Sequence, residues 1–168
     1  LHYASRAALN IDGLGEKTAQ DMVAKELVGD ISDLYSLTKN DLLELEGFAD
    51  KSARQLHDAI QESKNPKLDR FVYALGIRHV GERAARTLAR EFESFENIRK
   101  AGKEDLKKIP EIGPEIADSV TEFFSQDENQ NVLKKFDEAG VKVQEMKQKG
   151  SSGELQGKTF VFTGKLED

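Results

Sequence analysis

The sequence predicts an all-α fold built from four copies of one helical hairpin. Each copy carries a corner that, in three of the four copies, ends in glycine, and an alanine follows the corner at the start of a helix-forming stretch. In chain order, the four corners include residues 13–15, 47–49, 79–81 and 111–113. The closing alanines are spaced 34, 32 and 32 residues apart, at Ala19, Ala53, Ala85 and Ala117. A period of this length is typical of stacked supersecondary units, each too small to bury its apolar face alone.

A second internal symmetry groups the four hairpins into two pairs. Shifting residues 31–48 by 64 positions places Asp41 on Asp105 and Leu45 on Ile109, and apolar positions agree over most of that window. The first two hairpins therefore form a pair that the third and fourth repeat.

Each predicted helix follows from apolar residues that recur three or four positions apart. Thr38 with Asp41 three residues later forms an N-cap pair, and Pro66 ends the helix that precedes it. Pro114 suits a first helical turn, where a missing N–H matters least, and Gly140 is a typical stop. In chain order, the predicted helical segments are residues 4–9, 17–27, 31–37, 38–45, 51–63, 68–75, 81–92, 95–98, 105–109, 114–124 and 132–139.

The character of the chain changes after Gly140. Residues 141–143 alternate like a strand, and residues 147–154 form a polar linker that contains glycine and serine. Residues 155–168 have a strongly β-forming centre, and because one strand cannot stand alone they are expected to begin a truncated second domain. The expected division is a helical domain at 1–146, a linker at 147–154 and a β segment at 155–168.

Composition narrows the class of protein. The chain has 168 residues, 38% of them apolar, which suits one main domain. It has no cysteine, and His2, His57 and His79 show no metal-ligand spacing, so no metal site is expected. No run approaches the roughly 18 apolar residues of a membrane span, and the first residues lack a signal-peptide layout. We therefore expect a cytoplasmic chain with no membrane partner and, since it lacks an initiator Met, a fragment.

The charges are unevenly distributed along the chain. The formal net charge of −6 on its face argues against a polyanion as partner. Residues 70–108, however, carry 10 basic and 6 acidic side chains, against 8 and 13 in residues 1–69 and 7 and 12 in residues 109–168. The basic middle of the chain coincides with the third corner.

The first corner predicts an anion-binding site made of main-chain atoms. Glycine reaches positive φ without penalty, so Gly13 and Gly15 allow a tight turn whose peptide N–H groups face outward. The helix that follows adds its own free N–H groups, an arrangement that holds phosphate. A turn without a ligand is the alternative for one such corner, and the repetition favours binding. The candidate binding residues are Gly13, Gly15, Lys17, Thr18, Gly47, Lys51, Ser52, Arg78, His79, Gly81, Arg83 and Gly113.

The first and third corners are expected to bind most strongly. Lys17 and Thr18 add a charge and a hydroxyl to the first corner. The third has His79 in place of the first glycine, but Arg78 and Arg83 lie close by in the sequence, so it should be electrostatically the strongest.

The second and fourth corners depart from the pattern. In the second, Ala49 replaces a glycine, and Lys51 and Ser52 can compensate for the loss of close approach. In the fourth, Glu111 lies beside the turn, Pro114 removes a donor and Glu115 adds negative charge, so this corner is expected to be structural.

Two stretches resemble a known family. Residues 7–15 and residues 70–81 are similar to the helix-hairpin-helix domain of bacterial NAD-dependent DNA ligases, and residues 155–166 are similar to the first strand of the BRCT domain that follows there. The resemblance implies a parent enzyme of DNA replication and repair that seals nicks, using NAD, magnesium and a zinc module absent from this chain. It implies that this chain grips nicked duplex DNA by its backbone, without sequence specificity, beside other ligase domains.

The sequence contains no recognisable set of catalytic residues. The carboxylates are scattered over helix faces, and the chain has no P-loop lysine, nucleophile elbow or metal-ligand cluster. We therefore expect a binding unit with no catalytic residue and no cofactor of its own. Two alternatives stay open: a tandem hairpin domain of an excision nuclease or junction-binding protein, which residues 75–81 argue against, and a helical protein-interaction module.

Overall fold

The structure, a computed structural model, describes residues 1–146. The predicted linker at 147–154 and the β segment at 155–168 lie outside the described residues. Within residues 1–146 the all-α prediction is confirmed, and the β structure there is one isolated parallel bridge between Lys67 and Gln144. None of the helices in this part is long and apolar enough to cross a membrane.

The helices follow the predicted order. The α-helices of the described part are α1 (Glu16–Ala24), α2 (Lys39–Leu43), α3 (Asp50–Glu62), α4 (Leu68–Ala74), α5 (Glu82–Phe92), α6 (Phe95–Lys100), α7 (Lys103–Lys107), α8 (Pro114–Ser125) and α9 (Asp127–Glu138). Short 3-10 helices at His2–Ala4 and Ile31–Ser36 complete the helical structure of these residues.

Local capping sets several predicted boundaries. Thr38 and Asp41 form a reciprocal capping box at the start of α2: the Thr38 N–H donates to Asp41 Oδ2 at 2.7 Å, and the Asp41 N–H donates to Thr38 Oγ1 at 3.3 Å. Pro114 is the first residue of α8. Gly140 follows the end of α9 with a φ of +81°, a left-handed conformation that suits glycine.

Three predicted segments differ from the structure. Residues 4–9 form no α-helix, because Arg70 donates to the carbonyl oxygens of Arg6 and Ala8, at 3.1 Å each, and holds this backbone in a turn. Helix α9 begins at Asp127 rather than at 132. Residues 141–143, which are expected to form a strand, are not part of a strand pair in the described part of the chain. They form an extended segment in which the Lys142 N–H donates to the Lys64 carbonyl at 2.7 Å.

The alanines that define the repeat lie in the core of each hairpin. Ala53, Ala85 and Ala117 are fully buried, and Ala19 is half-buried. Helix α2 packs on α3, α4 on α5 and α7 on α8. A small side chain at this position lets the two helices of a hairpin approach closely, which explains why alanine recurs there.

A row of aromatic rings connects the two pairs of hairpins. Phe136 on α9 stacks on Tyr3 with ring centroids 5.6 Å apart, and it meets Tyr35 at 5.8 Å and Phe71 at 5.6 Å. Phe71 in turn contacts Phe95 of α6 at 5.0 Å. Tyr3 and Tyr35 belong to the first pair, so α9 joins both halves of the core.

An ion cluster joins α9 to the first pair. Lys135 Nζ lies 2.7 Å from Asp30 Oδ2 and 2.5 Å from Asp33 Oδ1. Partial burial favours the neutral form of both carboxyls. The hydrogen bonds from Lys135 and from nearby groups on residues 29–32 outweigh this effect and hold the pKa of each aspartate below its usual value.

Candidate functional site

The four corners share one backbone conformation. They comprise residues 11–15 (corner 1), 45–49 (corner 2), 77–81 (corner 3) and 109–113 (corner 4). In each, the N–H of the fourth residue donates to the carbonyl of the first, at 3.3, 3.2, 3.0 and 3.1 Å in corners 1 to 4. The third residue has a positive φ each time: 84° at Gly13, 79° at Gly47, 63° at His79 and 76° at Glu111. The corners are therefore one turn type, in which only two copies have the glycine that suits it.

The last residue of each corner caps the next helix in an extended conformation. Gly15 and Gly81 both have φ −83° and ψ −179°, Gly113 has φ −76° and ψ 171°, and Ala49 has φ −125° and ψ 177°. Its carbonyl accepts the first helical hydrogen bond from the alanine of the repeat, at 2.9 to 3.0 Å. Any residue can adopt this backbone, as Ala49 shows.

The fold itself does not require glycine at these capping positions. A Cβ atom added to Gly15, Gly81 or Gly113 would meet no other atom of residues 1–146 within 4 Å. Neither backbone strain nor internal packing therefore explains the three glycines. A bare backbone at an exposed helix start does allow an external group to approach the peptide N–H groups closely.

Corners 1 and 3 present unpaired main-chain donors. Within residues 1–146, the N–H groups of residues 15–17 and 81–83 have no hydrogen-bond acceptor. All six residues are exposed. These N–H groups lie at the positive ends of α1 and α5, so each corner forms a site suited to an anion.

Corners 2 and 4 each lack one of these donors. Ser52 Oγ accepts the Ala49 N–H at 2.9 Å and lies 3.1 Å from the Ala49 carbonyl oxygen, so this side chain closes its own corner. In the free chain Ser52 thus acts as a local cap, and its role in binding stays a prediction. In corner 4, Pro114 occupies the first position of α8 and has no N–H to offer.

The predicted binding side chains differ in whether a carboxylate already pairs with them. Three of them are exposed and form no ion pair within the described part of the chain: Lys51, Arg78 and His79. Lys17 and Arg83, the second residues of α1 and α5, are instead paired to carboxylates: Lys17 Nζ lies 3.2 Å from Glu46 Oε1, and Arg83 contacts Glu111. Thr18 is half-buried.

Sequence reasoning missed the contacts that hold the corners of each pair side by side. Asp21 Oδ2 accepts the N–H of Glu46 in corner 2 at 2.8 Å. At the equivalent place in the second pair, Thr87 Oγ1 donates to Glu111 Oε2 at 3.1 Å. Asp21 and Thr87 lie 66 residues apart, as do Gly15 and Gly81, so aligning the two pairs would have pointed to them.

The contacts of Glu111 alter its acidity. The hydrogen bond from Arg83, supported by that from Thr87, holds the pKa of the Glu111 carboxyl below its usual value. Glu111 therefore remains ionised, and corner 4 carries a negative charge next to the start of α5.

Four such corners, arranged as two pairs, define a tandem helix-hairpin-helix domain. Two family profiles support this class: the SAM-like helix-hairpin-helix tandem matches residues 5–62, and the helix-hairpin-helix motif matches residues 70–133. The two matched ranges coincide with the two pairs.

The whole chain is similar to one group of curated proteins. It is 50% identical over 165 residues to a DNA ligase of Syntrophotalea carbinolica, 48% identical to one of Desulforudis audaxviator and 42% identical to one of Bacillus subtilis. These matches cover 98 to 100% of the chain but 24 to 26% of the relatives, so the chain spans about a quarter of their length. Over its whole length the chain is therefore similar to a helix-hairpin-helix segment of bacterial DNA ligases.

Proposed function

We propose that this chain binds the backbone of duplex DNA through corners 1 and 3, without reading sequence, as the DNA-gripping part of an NAD-dependent DNA ligase. The observation that carries the proposal is the pair of capping glycines, Gly15 and Gly81. Each lies in a backbone that any residue could adopt and, as far as the described part of the chain extends, in open space beside three unpaired N–H groups. An external anion accounts for both features at once.

The chemistry of these corners suits phosphate rather than bases. Peptide N–H groups and a helix N-terminus donate to phosphate oxygens, and such contacts position a protein on a duplex but carry little sequence information. Base edges would require projecting side chains with paired donors and acceptors. Capping glycines offer no side chain, so we expect binding that is independent of sequence.

A chain of net negative charge can carry out this function because the donors belong to the main chain. The second pair adds cations where they help most, since Arg78 and Arg83 lie at corner 3 within the basic middle of the chain. The acidic side chains at residues 16 and 82 begin α1 and α5 and oppose an anion there. We therefore expect moderate affinity, with the second pair binding more tightly than the first.

The relationship to DNA ligases extends the proposal to a parent enzyme. In that enzyme, nicked duplex DNA would be the substrate, other ligase domains would close on the nick, and sealing would serve replication and repair. Mg²⁺, which is implied for the parent together with NAD, does not fit these corners, because N–H donors and cationic side chains cannot coordinate a metal ion. No reaction step is assigned to residues of this chain.

A salt titration tests the proposal. Fluorescence anisotropy would measure the affinity of the chain for a labelled nicked duplex, an intact duplex and a single strand of equal length. If the three cations at corners 1 and 3, Lys17, Arg78 and Arg83, each neutralise one phosphate, raising salt from roughly 50 to 200 mM should weaken duplex binding about 40-fold by counterion release. We expect both duplexes to bind better than the single strand, and similar affinities for two unrelated sequences. Absence of duplex binding at low salt would refute the proposal.

A further inference from the structure

Each pair of hairpins has an ion pair between its two corners, formed by the second residue of corner 2 and by the third residue of corner 4. In the first pair, Lys17 on the helix that follows corner 1 contacts Glu46 of corner 2. In the second pair, Arg83 on the helix that follows corner 3 contacts Glu111 of corner 4. Both cations are the second residue of their helix, so each belongs to the anion site described above.

A second contact holds each carboxylate-bearing corner in position. Asp21 lies one helical turn beyond Lys17 and accepts the Glu46 N–H, and Thr87 lies one turn beyond Arg83 and donates to Glu111. The two contacts differ in the group that is held, which is the main-chain N–H of Glu46 in the first pair and the carboxylate of Glu111 in the second. The outcome is the same: the second corner of each pair sets a carboxylate against the cation of the first.

We propose that Glu46 and Glu111 are affinity-setting residues, which occupy Lys17 and Arg83 in the free protein and must release them when a DNA phosphate binds. This inference rests on the proposed function. A carboxylate and a phosphate offer a guanidinium or ammonium group the same kind of oxygen partner, so they compete for it. The side chains of Lys17 and Arg83 are 77% and 82% exposed, so a phosphate can reach both cations.

The competition lowers affinity by a moderate factor. Exposed ion pairs are weak, and losing one changes an equilibrium by about two- to fivefold. Glu111 has two partners and Glu46 one at its carboxylate, so we expect the larger effect at corner 4. Releasing each cation also places its charge beside the unpaired N–H groups of the adjacent helix start.

The test compares neutral isosteres with matched controls. Glu111→Gln and Glu46→Gln remove the competing charges. Glu115→Gln and Glu44→Gln remove equal charges from exposed positions close by that form no ion pair within the described part. Binding of each variant to the nicked duplex would be measured by anisotropy, with circular dichroism melting as the check on folding. A fifth variant, Arg83→Gln, combined with Glu111→Gln, completes a double-mutant cycle.

We expect Glu111→Gln to tighten binding about two- to fivefold, and Glu115→Gln to change it much less. In the Arg83→Gln background, Glu111→Gln should lose most of its effect, because no cation is left to release. Equal gains from Glu111→Gln and Glu115→Gln, or the same gain without Arg83, would show a general charge effect and overturn the inference alone. Weaker binding by Glu111→Gln would overturn it too, since the carboxylate would then be orienting Arg83. A wild-type chain that does not bind duplex overturns the proposed function and this inference together.

Discussion

A valine at a capping glycine should separate binding from folding. In Gly81→Val, the new side chain extends from a backbone with φ −83° and ψ −179°, which a β-branched residue adopts readily. It enters space where none of the described residues has an atom within 4 Å of the new Cβ. The free energy of unfolding should therefore change by no more than about 1 kcal/mol, the sum of a lost glycine cap and a less flexible unfolded chain.

The effect on DNA binding should be larger. The valine methyl groups would project from the residue at which the open N–H groups of residues 81–83 begin, and we expect them to hinder the approach of a phosphate. Loss of one charge-assisted hydrogen bond costs about 1.5–3 kcal/mol, which corresponds to roughly a ten- to hundredfold rise in Kd. Gly15→Val should behave in the same way at corner 1.

Gly113→Val is the matched control, because Gly113 has the same capping conformation and the same open space. Corner 4 lacks the donor that Pro114 removes, so its valine variant should bind almost as well as the wild type. Anisotropy with the nicked duplex measures Kd, and urea unfolding measures stability. Equal losses of affinity in the three valine variants, or losses explained by unfolding, would refute the assignment of binding to corners 1 and 3.

Three further predictions concern stability and its pH dependence. His79→Gly should stabilise the fold by about 1 kcal/mol, seen as a higher urea midpoint, because His79 has a φ of +63° that glycine adopts without strain. A lower midpoint would contradict this. Phe136→Ala should destabilise by about 3–5 kcal/mol, since the ring is 2% exposed and contacts both pairs; a loss below 1 kcal/mol would contradict the joining role of α9. Asp30 and Asp33 have depressed pKa values when folded, so their stabilisation is present above the ordinary aspartate pKa of about 3.9 and is lost as pH falls below it. Acid unfolding should show this loss, and Lys135→Met should reduce it; an unchanged acid profile would contradict the ion cluster.

The repeat period was sufficient to predict the fold and the location of the corners. His79 and Glu111 are not glycine, yet both occupy the left-handed position that Gly13 and Gly47 occupy. The spacing of the closing alanines carried this information, because burial between the helices of a hairpin favours alanine at this position. Three of the four alanines are fully buried.

Local sequence patterns gave wrong helix predictions where tertiary contacts determine the backbone conformation. Residues 4–9 are rich in alanine and predict a helix, but Arg70 binds their carbonyl groups from a distant helix and holds a turn. The start of α9 is polar and has no apolar periodicity. It is held instead by Asn129 and Gln130, whose side-chain amides donate to the carbonyls of Phe123 and Phe124, each at 3.0 Å.

The sequence predicted the main-chain positions of the candidate site, but only some of the side-chain contacts around it. The glycines and the ranking of the four corners follow from residue type and position. The pairing of Arg83 with Glu111 joins residues 28 positions apart, and the closure of corner 2 by Ser52 depends on a rotamer. Neither has a signal in the periodicity of the sequence, since both depend on how two corners lie against each other.

The central claim is that main-chain N–H groups of corners 1 and 3 bind DNA phosphates. Its most direct test is a titration of the ¹⁵N-labelled chain with nicked duplex, followed by amide chemical shifts in NMR spectra. The account predicts that the amide resonances of residues 15–17 and 81–83 shift most, while those of residue 113 and of Ala49, which is already bonded to Ser52, shift little. Shifts that spare both sets of open amides, or that cluster at the exposed apolar residues Leu1 and Val23, would contradict it.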